Sequence, residues 1–143
     1  MVEAGAEGSQ QGTITVLLVD DVPQLRELIR YGLGEDPAFE VIAEAGDGRE
    51  AIAAVEAHGP SAVVLDLSMP DMDGFQAILE LRDRRPDMAI VVLSGFTPER
   101  VKERVIEQGA DAYIEKGTPI AELADVLRRA VADRRAEPER SPA

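Results

Sequence analysis

Apolar runs of strand length alternate with segments of helical period about five times between Thr13 and Arg135, and nothing else in the chain restricts its architecture as strongly. A repeated β-then-α unit predicts a parallel sheet with crossover helices on both faces. The strands are expected at Thr13 to Val19, Phe39 to Ala45, Ala62 to Asp66, Ala89 to Ser94 and Ala112 to Glu115. The first, third and fourth contain near-continuous apolar stretches (Val16-Leu17-Leu18-Val19, Val63-Val64-Leu65 and Ile90-Val91-Val92-Leu93), as strands buried on both faces do. The second interleaves Glu40 and Glu44 with apolar residues, and the fifth is short and carries Tyr113 and Glu115, as sheet edges do. The predicted strand order is therefore 2-1-3-4-5. Helical faces are read from Leu25, Leu28, Ile29 and Gly32, from Phe75, Ile78 and Leu79, and from Ile120, Leu123, Ala124, Leu127 and Val131, all assigned to the core.

A chain of 143 residues with 45% hydrophobic content suits a single domain, expected over residues 13–135. Residues 1–12, rich in Gly, Ser, Gln and Glu, and residues 136–143, rich in Glu, Pro and Arg, are expected to be disordered tails. The second tail also suits the start of a linker. A formal net charge of -13 repels phosphate backbones and anionic lipids, which argues against direct nucleic-acid or membrane binding. The opening residues have no apolar core of a signal peptide, and no apolar run reaches spanning length. The absence of cysteine excludes disulfides, thiolate zinc sites and a cysteine nucleophile, and fits a cytoplasmic location. Aromatic content of 3% implies an aliphatic core without an aromatic ligand platform.

Ligands of open α/β sheets bind beyond the carboxyl ends of the strands, where strand order reverses, here between the first and third strands. The first strand ends in Asp20-Asp21, the third in Asp66 and the fourth in Ser94-Gly95, while the fifth runs into Lys116. Three converging carboxylates repel one another unless a cation sits between them. Carboxylate oxygens, the Ser68 backbone carbonyl and water would form an oxygen shell suited to magnesium or manganese. An ionised Asp66 could attack phosphorus without a general base, giving an aspartyl phosphate. Lys116 could pair with one phosphoryl oxygen and Ser94 donate to another, with Gly95 leaving room. Singly, each residue has a plainer reading: Asp21 before Pro23 as a helix cap, Asp66 and Ser94 as ordinary strand ends, Tyr113 as an edge aromatic with its hydroxyl in water.

Leu17-Leu18-Val19-Asp20-Asp21, then Leu65-Asp66-Leu67-Ser68-Met69-Pro70-Asp71-Met72-Asp73-Gly74, then Leu93-Ser94-Gly95, then Tyr113-Ile114-Glu115-Lys116-Gly117 occur in that order. Over Thr15 to Arg134 the chain resembles the CheY-like receiver domains of bacterial two-component response regulators. The resemblance implies a flavodoxin-like, doubly wound five-stranded sheet. It also implies that Asp66 accepts a phosphoryl group from a histidine kinase or phosphotransfer protein, with Asp20, Asp21, Asp66 and the Ser68 carbonyl holding magnesium or manganese. Ser94 and Lys116 would sense the phosphoryl group, and Tyr113 matches the aromatic switch position. Ser68 and Phe96 match positions that flank the phosphoryl group. Such a protein assists its own phosphorylation and dephosphorylation rather than turning over a substrate, and signals through a helical face, through homodimerisation, or through a target or linked output domain.

One departure is Gly117, where many receivers have a proline after the lysine, often with a cis bond. Glycine there, and the segment Ala45-Gly46-Asp47-Gly48-Arg49-Glu50-Ala51-Ile52, resemble receivers that precede a helix-turn-helix output domain.

Rival readings are weaker. Gly46-x-Gly48-x-x-Ala51 with Asp66 downstream mimics a dinucleotide fingerprint, but in the second unit and with Asp47 facing the pyrophosphate. A haloacid-dehalogenase-type phosphatase would need Asp-x-Asp, and Ser68 fills the second place. Asp71-x-Asp73-Gly74 with Glu80 mimics part of an EF-hand, but Met69 would fill the first ligand position. His58 before Gly59-Pro60 suits a helix end better than a phosphate relay. A degenerate receiver acting only as a binding module is opposed by the intact acceptor set.

Overall fold

The computed structural model describes residues 13–67, 74–95 and 99–136. Ser68, Phe96 and both expected tails except Ala136 lie outside them. Five strands, β1 (Ile14–Val19), β2 (Phe39–Ala45), β3 (Ala62–Asp66), β4 (Ala89–Ser94) and β5 (Ala112–Glu115), alternate with α1 (Pro23–Gly34), α2 (Gly48–His58), α3 (Gly74–Arg84), α4 (Glu99–Gln108) and α5 (Ile120–Ala136). The sheet is parallel in the order β2-β1-β3-β4-β5, as the strand compositions predict. Ala136, expected in the tail, is the last residue of α5.

Period-two alternation divides the interior between the two faces. Val16, Leu18, Val64, Val91 and Leu93 point to one side, with Ile29 and Leu33 of α1 and Leu123, Leu127 and Val131 of α5. Leu17, Val19, Val63, Leu65, Ile90 and Val92 point to the other, with Val55 of α2, Ile78 and Leu81 of α3 and Val105 of α4. The α5 stripe is core as expected. Leu28 and Leu79 are not: they are 60% and 45% exposed, and Leu33 and Leu81 are the buried leucines of α1 and α3. Each exposed leucine is the chain neighbour of a buried isoleucine, about 100° away round the helix, which places it past the rim of the buried face.

Local chemistry disposes of two decoys. Asp47 accepts from Glu50 N–H at 2.9 Å, and the Glu50 carboxylate accepts from Gly46 N–H at 2.7 Å. This reciprocal cap occupies the start of α2, where a dinucleotide would place its pyrophosphate. His58 is the exposed last residue of α2, and Gly59 N–H returns to the Val55 carbonyl, so the histidine sits at a helix end.

Two glycines answer to geometry. All described peptide bonds are trans, and Gly117 has φ +92°. Proline, confined near φ -65°, could not adopt that backbone, so the turn after β5 is built differently from a proline-bearing one. A Cβ on Gly74 would lie 2.6 Å from Leu67 Cα, so only glycine allows α3 to start against the end of β3.

Candidate functional site

Among the described residues, Asp20, Asp66 and Ser94 are the only polar or charged side chains that are fully buried. All three stand at the carboxyl end of the sheet. Parallel pairing puts β1 beside β3 and β3 beside β4, so the ends of these strands meet, with Asp66 opposite Leu93 and Ser94 opposite Glu115. Buried polar groups are costly unless compensated, and their confinement to one edge marks it as a site built for something other than stability.

Asp20, Asp21 and Asp66 each present a carboxylate oxygen within 4.8 Å of the others. Lys116 Nζ lies 3.3 Å from Asp66 Oδ2 and 3.6 Å from Asp20 Oδ2. The turn that brings Lys116 there is fixed by its own N–H, which donates to the Ser94 carbonyl at 2.8 Å. Asp21, exposed on the rim, is not a helix cap: the residue preceding α1 is Val22, whose side chain makes no cap. It is Asp20 that shapes this turn, accepting from Val22 N–H through Oδ1 at 2.8 Å. Asp20 Oδ2 is left buried with no hydrogen-bond partner among the described residues.

An acid-rich, oxygen-only donor set with a buried oxygen that accepts no hydrogen bond among the described residues fits a small hard divalent cation. The Ser68 carbonyl lies outside the described residues, so the side-chain part of the expected ligand set is the part brought together. Ser94 is at the same edge, wholly buried. Tyr113 packs its ring against the core on the α2–α4 side, and its hydroxyl is buried with no hydrogen-bond partner among the described residues. An edge tyrosine with its hydroxyl in water is therefore not what forms.

Sequence reasoning missed Arg26. It lies in α1, its side chain 19% exposed, and donates through Nη1 to the backbone carbonyl of Asp20 and through Nε to Glu44 Oε1 at 2.9 Å. Arg30 also pairs with Glu44. Burial opposes ionisation of Glu44, but the hydrogen bonds and positive charge of the two arginines outweigh it and hold its pKa below the ordinary carboxylate value. The five residues between Asp20 and Arg26 suggest no contact in sequence, because the carbonyl is reached only once α1 has formed.

The sequence model of the response regulator receiver domain family matches residues 16–128. The response regulator protein VraR of Staphylococcus aureus is 34% identical over 117 residues, which cover 82% of this chain and 56% of VraR. The chain thus spans about half the length of the curated relatives it matches. Among solved structures, the signal receiver domain of the putative response regulator NarL from Mycobacterium tuberculosis is 25% identical with TM-score 0.76, covering 86% of this chain and 97% of that one. A LuxR-family two-component response regulator from Aurantimonas sp. SI85-9A1 is 28% identical with TM-score 0.74, covering 87% and 99%.

Proposed function

The chain belongs to the response regulator receiver domain family of two-component systems, a phosphorylation switch and not a classical enzyme, and on that footing we propose that Asp66 is its phosphoacceptor. The observation that carries this reading is the pairing of buried Asp66 with Lys116 at 3.3 Å beside two further carboxylates.

An Asp66 oxygen attacks the phosphorus of a phosphohistidine on a partner kinase or phosphotransfer protein. The new O–P bond replaces the P–N bond, and the imidazole keeps the bonding pair and takes up a proton. Asp20, Asp21 and Asp66, with the Ser68 carbonyl, are the residues that would hold magnesium or manganese. A bound divalent cation supplies Lewis-acid neutralisation of phosphoryl oxygens. Lys116, 3.3 Å from Asp66 Oδ2, supplies a further positive charge beside the acceptor, and the Ser94 hydroxyl donates to a phosphoryl oxygen. Because the acceptor is already an anion, no residue has to remove a proton. The same charges assist loss of the phosphoryl group to water, so the protein promotes its own phosphorylation and dephosphorylation.

The signal is a shift of population at the face formed by α4, β5 and α5, with Tyr113 as the turning element. Its reader is a protein target, a second copy, or a linked output domain. A single domain over residues 13–135 in the cytoplasm, where kinase and phosphodonor are available, completes the reading. No described helix is long and apolar enough to cross a membrane.

Incubation with magnesium and acetyl phosphate, followed by intact mass, tests the assignment. One phosphate adduct is expected on the wild type and none on Asp66→Ala. An adduct that survives in the variant would place the acceptor elsewhere, and Asp21→Ala should need far more magnesium for the same labelling.

A further inference from the structure

We propose that Arg26 is a positioning residue for the acidic site: it sets the plane of the Asp20–Asp21 peptide and so the direction in which both carboxylates point. The inference rests on the reading of Asp20, Asp21 and Asp66 as the divalent-cation ligands.

Asp20 donates its own N–H to the Ala45 carbonyl at 3.0 Å, and two of its oxygens are held as well. Its Oδ1 accepts from Val22 N–H, and its carbonyl oxygen accepts from Arg26 Nη1. The six atoms from one Cα to the next are coplanar, so a carbonyl held in one direction fixes the peptide plane that joins Asp20 to Asp21. That plane governs where the Asp21 side chain leaves the backbone. Asp21 has no cap contact of its own and stands exposed at the rim. Asp20 Oδ2 is what remains for the site once Oδ1 is engaged.

Arg26 is itself held. Its Nε is bound by Glu44 Oε1 of the edge strand β2, and Arg30, one helical turn later, binds the same carboxylate. The guanidinium therefore bridges α1, β2 and the end of β1 by separate nitrogens, which an ammonium on a flexible stem cannot reproduce. Glu44 also offsets the charge of Arg26, so a cation beside the acidic cluster does not simply compete with the divalent ion.

Charge and positioning predict opposite signs. Removing a positive charge near an anionic site strengthens cation binding, whereas releasing a ligand's orientation weakens it, typically by tenfold or more. Magnesium affinity measured by calorimetry on the wild type, Arg26→Met and Arg26→Lys separates the two. Both variants are expected to bind magnesium about tenfold more weakly, with labelling by acetyl phosphate recovering as magnesium is raised to saturation. A merely structural role would lower the melting temperature in metal-free buffer and leave magnesium affinity unchanged. Unchanged or tighter binding by folded Arg26→Met overturns the proposal. Should that variant not fold, wild-type affinity in Arg26→Lys, which keeps the charge, overturns it equally. A wild type that binds no magnesium would instead overturn the site reading on which the inference rests.

Discussion

At the scale of single residues, the two glycines bordering the site separate two kinds of constraint. Gly117 is required by its backbone: at φ +92° an L side chain is strained, although a Cβ there would meet nothing within 4 Å. Gly74 is required by space, since its Cβ would fall 2.6 Å from Leu67 Cα and 2.9 Å from the Leu67 carbonyl oxygen. Gly117→Ala is expected to cost about 1–2 kcal/mol, the penalty of a left-handed residue. Gly74→Ala is expected to cost about 3 kcal/mol, because backbone rather than a flexible side-chain tip must move. Urea unfolding at constant magnesium checks the order, and a smaller loss for Gly74→Ala would refute the steric account. The same residues show what was legible in sequence. That Asp20, Asp21, Asp66, Ser94 and Lys116 lie at one end of the sheet could be read because each sits at a strand end, and strand ends follow from hydrophobic runs. The left-handed turn at Gly117 could not, because residue type alone does not say which φ a glycine adopts.

At the scale of elements, α1 is tied to the edge strand β2 through one carboxylate. Glu44 is bonded by Arg26 and Arg30, and its pKa is held below the ordinary value of 4.5. A carboxylate with a depressed folded pKa stabilises the fold above its unfolded pKa and loses that contribution as pH falls through the folded value. Wild type should therefore melt higher than Glu44→Gln at neutral pH, and the gap should close as the pH drops below about 4.5. With a quarter of the Glu44 side chain exposed, the full effect is about 1 kcal/mol or less. Melting curves between pH 7 and pH 3 decide it, and a gap that stays constant across the range would show that the ion pairs contribute nothing. The strands and their order were readable because burial on both faces leaves continuous Val, Ile and Leu in β1, β3 and β4. Helical faces were readable less well. A leucine is expected to be inside, yet Leu28 and Leu79 look outward, since exposed apolar residues are ordinary on a folded surface. The bridge from Arg26 to Glu44 was invisible, because the partners are eighteen residues apart and meet only through packing of α1 on β2.

At the scale of the whole molecule, charge is sorted between the two ends of the sheet. The carboxyl end holds the acidic site, where burial of carboxylates opposes stability. The amino end holds Asp111, which accepts from Ile90 N–H at 2.9 Å, from Arg82 at 3.0 Å and from Arg134 at 2.9 Å. One side chain so joins β4, α3 and α5. Arg82 also donates to the carbonyls of Met88 and Gly109, closing the loops that precede β4 and β5. Burial, then the nearby charge of Arg134, pulls the Arg82 pKa below its ordinary value, while Asp111 opposes that pull. Without Asp111 two guanidiniums would face each other, so Asp111→Ala is expected to lose about 3 kcal/mol. Arg134→Met should be costly in the wild type but neutral or stabilising when Asp111 is already alanine, since repulsion is then relieved. Urea unfolding of the two single variants and the double variant measures the coupling, and additive losses would show that Asp111 acts through Ile90 and Arg82 without Arg134. The network lies across the sheet from Asp66. Asp111→Ala that remains folded should therefore take up one phosphate per chain from acetyl phosphate at the magnesium dependence of the wild type. A changed magnesium dependence would mean that the two ends of the sheet are coupled.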